Sequence, residues 1–178
     1  TCALPIYGKV TEEEIRAIIK EGAEGGALQD IEQDIVERVF HVGDRKVNSL
    51  MTHRKTITYI KLTDTADEIR DKVKRTLHSS YPVVKNNLDE IVGVVSLKKI
   101  FETIDKADFS IQSIIKEPKY FIEHTTAYKA LETFKVSKKY TAFIVDEYGV
   151  FQGMITMNDI LEALVGDADE FVGEEFKL

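Results

Sequence analysis

The residues Gly153-Met-Ile-Thr156-Met-Asn-Asp159 set a hydroxyl and a carboxylate three positions apart, where an apolar run gives way to a helical pattern. A glycine there lets another group approach the backbone closely. A threonine at a helix start can cap backbone N–H groups and still offer its hydroxyl outward. Asp159, one turn into the helix, has a carboxylate able to accept hydrogen bonds from both hydroxyls of a ribose. The N-terminus of the helix itself favours a nearby phosphate. The same Thr-x-x-Asp spacing also serves a plain helix cap, and spacing alone leaves both readings open.

A second stretch, Gly93-Val-Val-Ser96-Leu-Lys-Lys99, occupies an equivalent place in a repeat. Residues 81–101 (YPVVKNNLDEIVGVVSLKKIF) align without a gap on 141–161 (TAFIVDEYGVFQGMITMNDIL), offset by 60, and 47–51 (VNSLM) matches 111–115 (IQSII), offset by 64. The hydroxyl survives as Ser96, but Lys99 replaces the carboxylate, and a lysine has donors only. Two copies of one unit imply a pseudo-twofold pair with a cleft between them. On this reading one copy keeps a ribose-gripping site and the other has lost it.

The elements that must position these residues follow from periodicity. Thr11 to Glu14 fits a capping box, and Ile15, Ile18 and Ile19 form a helical stripe ended by Gly22, Gly25 and Gly26. A second helix carries Ile31, Ile35, Val36 and Val39 on one face. In copy one, 56–60 reads as a strand, and Thr65 to Glu68 as another capping box. Ile69, Val73 and Leu77 form a buried helix face. Pro82 sits in the next strand, 86–90 is a polar turn, 91–96 the return strand and 97–104 a helix. Copy two repeats the order with strands at 119–122, 142–145 and 150–156, and helices from near Thr126 and from Met157. Phe134, Phe143 and Tyr148 read as core or dimer contacts rather than base-stacking groups. The fold class is α+β: two β-α-β-β-α repeats packed as a pseudo-twofold pair, preceded by two short helices. The expected domains are a foreign or unstructured segment 1–10, a helical lead-in arm 11–42, repeats 43–105 and 106–167, and an acidic tail 168–178.

Composition narrows the function. With 178 residues, 43% hydrophobic and 31% charged, the chain can bury a real core. A net charge of −7 argues against a nucleic-acid partner, which calls for a basic footprint. Cys2 is the only cysteine, so no disulfide or cysteine metal cage forms within the chain. His41, His53, His78 and His124 lack metal-ligand spacing, so no metal site is expected. No apolar run approaches the ~18 residues of a membrane span. Neither a nucleophile–base pair nor a Walker phosphate loop is visible, which predicts a non-catalytic protein.

The repeat resembles a tandem pair of CBS domains, a Bateman module, and is most similar to that of the CorC/CNNM (hemolysin-like) magnesium transporter family. The resemblance covers about residues 10–171 and rests on a set of local matches. In the lead-in these are Val10-Thr-Glu-Glu-Glu-Ile15, Glu21-Gly-Ala23, and Val39-Phe40 with Gly43-Asp-Arg45. In copy one they are Leu50-Met-Thr52, and His78-Ser79 with Tyr81-Pro-Val83. In copy two they are Val145-Asp-Glu-Tyr-Gly149, Gly153-Met-Ile-Thr156, Asp159-Ile-Leu-Glu162 and Val165-Gly166.

The resemblance implies an adenine nucleotide (ATP, ADP or AMP), with or without Mg²⁺, and a homodimer formed through the CBS domains. Thr156 and Asp159 would hold the ribose, Thr52 would line the phosphate side, and His78 and Ser80 would flank the ligand. Ser80 stands where the family commonly has arginine, which favours a less charged ligand such as AMP unless Arg54 or Lys55 supplies charge. His53 replaces a usual proline. The family also implies an N-terminal transmembrane domain, in many bacterial members a C-terminal domain, and a place on the cytoplasmic side of the membrane. The expected role is a nucleotide-sensing regulatory module of a magnesium or divalent cation transporter. The alternative is a dimerisation scaffold whose degenerate site binds no nucleotide.

Overall fold

The structure, a computed structural model, describes residues 9–166. The acidic tail 168–178 and most of segment 1–10 therefore lie outside the described residues. The chain divides into two units, one comprising 44–161 and the other, among described residues, 9–43 with 162–166.

In the smaller unit, α1 (Glu12–Glu24) and α2 (Asp30–Gly43) are the two expected helices. The Thr11 hydroxyl accepts from the Glu14 N–H at 3.2 Å, and the Glu14 carboxylate accepts from the Thr11 N–H at 2.9 Å. This is the reciprocal box read from the sequence. The Arg16 guanidinium lies 5.0 Å above the Phe40 ring and ties the two helices. No residue of α1 is buried, and the burial in α2 falls on Val42 and Gly43.

The larger unit holds two sheets. β2 (Ile60–Lys61), β3 (Ser80–Val84) and β4 (Ile91–Ser96) form one, in the order β2-β3-β4. β1 (Thr52–His53), β5 (Lys119–Ile122), β6 (Thr141–Val145) and β7 (Phe151–Thr156) form the other, in the order β1-β7-β6-β5. The helices are α3 (Ala66–Arg75), α4 (Leu97–Thr103), α5 (Ala127–Ser137) and α6, which begins at Met157 and runs to Val165. In each repeat the first strand runs parallel to the second, and the second and third form an antiparallel hairpin.

The segment that leads into each repeat borders the other repeat's sheet. Thr52 pairs with Met154 of β7, and Lys116 pairs with Val94 of β4. These crossovers explain both glycines of the repeat. A Cβ at Gly153 would stand 2.4 Å from the Thr52 carbonyl oxygen, and one at Gly93 would stand 2.4 Å from Ile115 Cγ2 and 2.7 Å from the Lys116 carbonyl oxygen. The close approach expected at Gly153 is thus made by the chain's own backbone.

Alternation along the strands sorts side chains between two cores. Val83 and Val95 join Ile69, Val73, Ile100 and Tyr81 beneath the copy-one helices. Val84 and Val94 face the other way and meet Phe143, Phe151 and Met154 of copy two. This second cluster is the seam between the repeats. Phe134 and Phe143 are wholly buried, whereas Tyr148 is exposed.

Three sequence expectations shift. The gapless alignment slips by one residue at the hairpin. Ser96 and Thr156 are 60 apart, but their partners Ser80 and Thr141 are 61 apart, because the second turn is one residue shorter. The strand expected over 56–60 narrows to Ile60–Lys61, since the Thr56 N–H closes a turn onto the His53 carbonyl at 2.9 Å. Leu77, expected on the buried face of α3, is 72% exposed, because the helix ends at Arg75 and the Thr76 backbone is extended.

Candidate functional site

Thr156 ends β7, and Asp159 lies in the first turn of α6. The Asp159 N–H donates to the Thr156 hydroxyl oxygen at 3.3 Å. In return, Asp159 Oδ2 accepts from the Thr156 N–H at 2.6 Å and from its hydroxyl at 2.9 Å. Both residues are half-buried. The pair is therefore a cap, and the cap holds the carboxylate at the strand end. Oδ1 takes no part in these capping bonds.

Four hydroxyls meet at the junction of the repeats. Ser80 pairs with Ser96 in one sheet and Thr141 with Thr156 in the other. Across the seam the Ser80 and Thr141 hydroxyl oxygens are 3.2 Å apart and hydrogen-bonded. Ser80 is only 8% exposed. The same one-residue offset extends outward. The Leu97 N–H donates to the Ser79 carbonyl, and the Met157 N–H to the Tyr140 carbonyl, both at 2.9 Å.

A cavity of about 260 Å³ opens on one side of this junction, lined by Ser80, Ser96, Lys116, Lys138, Lys139 and Tyr140 among others, Thr141 included. It lies in the half that the sequence reads as having lost the site. The pseudo-twofold carries Ser96 onto Thr156, Lys116 onto Thr52, Lys139 onto His78 and Thr141 onto Ser80. Four of the five residues singled out from the sequence therefore occupy positions equivalent to the lining of an open cavity. The fifth, Asp159, is the equivalent of Lys99.

Each of those residues has a definite place. Thr52 sits on β1 opposite Met154, two residues before Thr156 along β7. Ser80 is joined to Thr156 through Thr141, and it also lines the lysine cavity. His78 is positioned through Tyr81. Its N–H donates to the tyrosine oxygen at 2.9 Å, and the two rings meet edge-on at 5.9 Å. The His78 Nε2 atom is buried without a hydrogen-bond partner among the described residues. Sequence reading missed Tyr81. Its hydroxyl donates to the Thr76 carbonyl at 2.7 Å, so it braces the loop that presents His78 and Ser80. Burial raises the tyrosine ionisation, against the opposing effect of the His78 N–H bond.

The cations named from the sequence are engaged differently. Arg54 donates to the Phe151 carbonyl at 3.0 Å and to Asp89 at 2.9 Å, which commits its guanidinium to β7 and the copy-one turn. Lys55 is exposed. The Lys99 amine reaches Glu102 at 3.2 Å, and this bond holds the Glu102 carboxyl below its ordinary range. Lys99 caps nothing with its side chain; only its N–H meets the Ser96 hydroxyl, at 3.3 Å.

The fold also gathers groups that spacing could not connect. His124 Nε2 lies 3.5 Å from Glu123 and 3.3 Å from Glu147, and one ligand atom from each of the three falls within 4.8 Å of the others. The parallel pairing of β5 with β6 brings the β5–α5 loop beside the β6–β7 turn. His124 and Glu147 are both exposed, as ordinary surface ion pairs are.

Comparison with known proteins agrees with this architecture. The CBS domain family model matches residues 47–106 and 110–166. A UPF0053 protein of Synechocystis is 38% identical over 158 residues, which are 88% of this chain and 35% of the relative. The magnesium and cobalt efflux protein CorC of Escherichia coli is 27% identical over 165 residues, 92% of this chain and 56% of the relative. The chain thus spans between a third and just over half of these relatives. Among solved structures, the CBS domain of a bacterial CNNM/CorC family Mg²⁺ transporter superposes with a TM-score of 0.80. It is 27% identical, and the match covers 89% of this chain and 98% of that one. A structure of such a domain in complex with ATP gives a TM-score of 0.70 at 25% identity, covering 76% of this chain and 98% of that one. Two crossed-over repeats around a shared hydroxyl junction, together with these matches, place the chain in the CBS domain family, as a tandem pair of the CorC/CNNM magnesium transporter type.

Proposed function

We propose that this CBS pair is a regulatory module that binds an adenine nucleotide beside Thr156 and Asp159, within a membrane transporter of magnesium or another divalent cation. The observation that carries the reading is the capped carboxylate. Asp159 is fixed beside the end of β7, half-buried, with one oxygen outside the cap, and its cap partner Thr156 has as its pseudo-equivalent Ser96, which borders an open cavity. A related domain has been solved in complex with ATP. In this chain Thr156 and Asp159 would hold the ribose, Thr52 would line the phosphate side, and His78, with its buried Nε2, and Ser80 would flank the ligand. Lys55 is the nearest candidate for phosphate charge in that segment, since Arg54 is engaged by Asp89. Mg²⁺ would accompany a di- or triphosphate.

Regulation requires that the nucleotide bind two shapes of a homodimer unequally; affinity alone shifts nothing. The lead-in helices α1 and α2 would pass that shape to a transmembrane domain on the cytoplasmic side. Calorimetric titration with AMP, ADP and ATP, with and without Mg²⁺, tests the site. Asp159→Ala should abolish binding, while Lys99→Ala should leave it intact. Unchanged affinity in the first variant would end the assignment.

A dimerisation scaffold without nucleotide is the second reading, favoured by the serine at position 80 and by the use of Asp159 Oδ2 in its own cap. A thermal-shift series separates the two. A true ligand at 100 times its Kd adds about 2.7 kcal/mol, and a scaffold shows no shift with any nucleotide.

A further inference from the structure

We infer that Glu123, His124 and Glu147 form a binding site for a transition-metal dication such as Zn²⁺ or Co²⁺, at the end of the β6–β7 hairpin away from Thr156. Thr141 pairs with Thr156 at one end of that hairpin, and Val145 with Phe151 at the other, where Glu147 lies in the turn. The cluster therefore stands apart from the nucleotide reading. The donor set decides the class of ion. An imidazole nitrogen beside carboxylate oxygens suits zinc and neighbouring transition metals, whereas Mg²⁺ takes oxygen ligands. The histidines lack metal-ligand spacing among themselves, but here the other two ligands are glutamates, one of them 23 positions after His124.

The distances carry the reading. His124 Nε2 is 3.5 Å from Glu123 Oε1 and 3.3 Å from Glu147 Oε1. A charge-assisted hydrogen bond between such groups closes to about 2.7–2.9 Å. Ligand atoms bonded at about 2.0–2.1 Å to a tetrahedral ion stand about 3.3–3.4 Å apart. One nitrogen facing two carboxylate oxygens at the longer spacing matches two edges of a coordination tetrahedron better than it matches an ion pair. The three ligand atoms fall within 4.8 Å of one another, and the Glu147 side chain, 59% exposed, is free to close the third edge. Water would complete the shell. Among the described residues His124 is the one basic side chain that pairs with either carboxylate, so the negative charge of the cluster is left for a dication to neutralise.

The backbone beneath the ligands is held on both sides. The Glu123 N–H donates to the Val145 carbonyl at 3.0 Å, the Val47 N–H to the Thr125 carbonyl at 2.8 Å, and the Asn48 N–H to the Glu123 carbonyl at 3.3 Å. In the turn, the Asp146 carboxylate accepts from the Tyr148 and Val150 N–H groups and from the Gln152 amide, each at 2.9 Å. Asp146 thus holds the turn and leaves Glu147 as the ligand, an arrangement that positions first-shell groups on fixed backbone. Copy one has the same backbone without the ligands. The Leu62 N–H donates to the Val84 carbonyl as Glu123 does to Val145, so Leu62 and Thr63 stand where copy two has Glu123 and His124. The fold therefore does not impose this donor set.

The full chain, free of nucleotide, is titrated with Zn²⁺ by calorimetry and with Co²⁺ by visible absorption. One ion per chain is expected, with the Co²⁺ bands of a four- or five-coordinate centre, and excess Mg²⁺ should leave the Zn²⁺ titration unchanged. His124→Ala and Glu147→Gln should each weaken Zn²⁺ binding at least about tenfold. Both side chains are exposed, so the fold should persist in each variant. Asp159→Ala should leave Zn²⁺ binding unchanged, whatever it does to nucleotide, so the two readings fail separately. Absence of saturable binding up to millimolar Zn²⁺ would overturn the inference. So would wild-type affinity in the His124 and Glu147 variants, or displacement of Zn²⁺ by excess Mg²⁺.

Discussion

The two repeats share a backbone plan but differ at the ends of their hairpins. In copy two the return strand ends in Thr156 and its helix answers with Asp159, which closes a reciprocal cap. In copy one the strand ends in Ser96, and the residue three on is Lys99, whose amine turns away to Glu102. The lead-in segments and the loops before β3 and β6 differ as well. Lysines surround the copy-one cleft where threonine, leucine and histidine stand in the other. One scaffold thus carries opposite charges at its two clefts: a carboxylate on one side and lysines on the other. Duplication conserves geometry more strictly than it conserves charge, because the seam core depends on shape while the cleft rims face solvent.

The crossovers are where this comparison breaks most sharply. Gly153→Ala drives a methyl group into the Thr52 carbonyl, so a loss of about 3 kcal/mol in urea denaturation is expected, at the upper end for overpacking. Gly93→Ala should cost less, about 2 kcal/mol, because its nearest neighbour is the Ile115 Cγ2 methyl and the backbone oxygen it meets, that of Lys116, stands farther off at 2.7 Å. Equal losses would mean that the two crossovers are equally rigid.

Tyr81 has no counterpart in copy two, where Ala142 occupies the equivalent position. Tyr81→Phe leaves the His78 N–H and the Thr76 carbonyl without their partner and should destabilise by about 2 kcal/mol. The same residue sets an alkaline limit. Its ionisation is raised on folding, so its contribution is fully present below the ordinary tyrosine value of about 10 and is lost as pH climbs through the raised value. The wild-type protein should lose stability over that range more steeply than the phenylalanine variant, as read by denaturation at stepped pH.

Removing the caps sharpens the contrast between the halves. Thr156→Ala and Ser96→Ala should each cost about 1 kcal/mol as lost N-terminal caps. Only the first should also weaken adenine nucleotide in calorimetry. Of the same size but opposite sign is Lys138→Gly, which relieves the left-handed backbone and should stabilise by about 1 kcal/mol, measured by the same denaturation.

Much of this was legible beforehand. Periodicity located the helices, the capping boxes at Thr11 and at Thr65 formed as read, and the repeat implied a pseudo-twofold pair. The Thr156–Asp159 contact was also visible, since three residues at a helix start bring the side chain back to the cap. The errors came where local pattern met tertiary pairing. Gly153 read as a point of close approach without saying what approaches, and the group is the Thr52 backbone. Leu77 continued the apolar period of α3, but the helix stopped two residues earlier. Tyr81 looked like one more apolar strand residue, and its role depends on a carbonyl five positions back that only the loop geometry brings near. Glu147 joined His124 because two parallel strands end side by side.

The sequence by itself determined the repeat, its elements and the local pairs within a turn of helix or a hairpin, because those depend on residues a few positions apart and on backbone geometry common to all chains. Only the tertiary structure decided that each lead-in segment crosses to the other repeat, that Ser80 bonds Thr141 across the seam, and that an open cavity lies among the lysines. Those contacts join residues from 22 to 102 positions apart, and no local preference selects among such partners; burial of the seam core does.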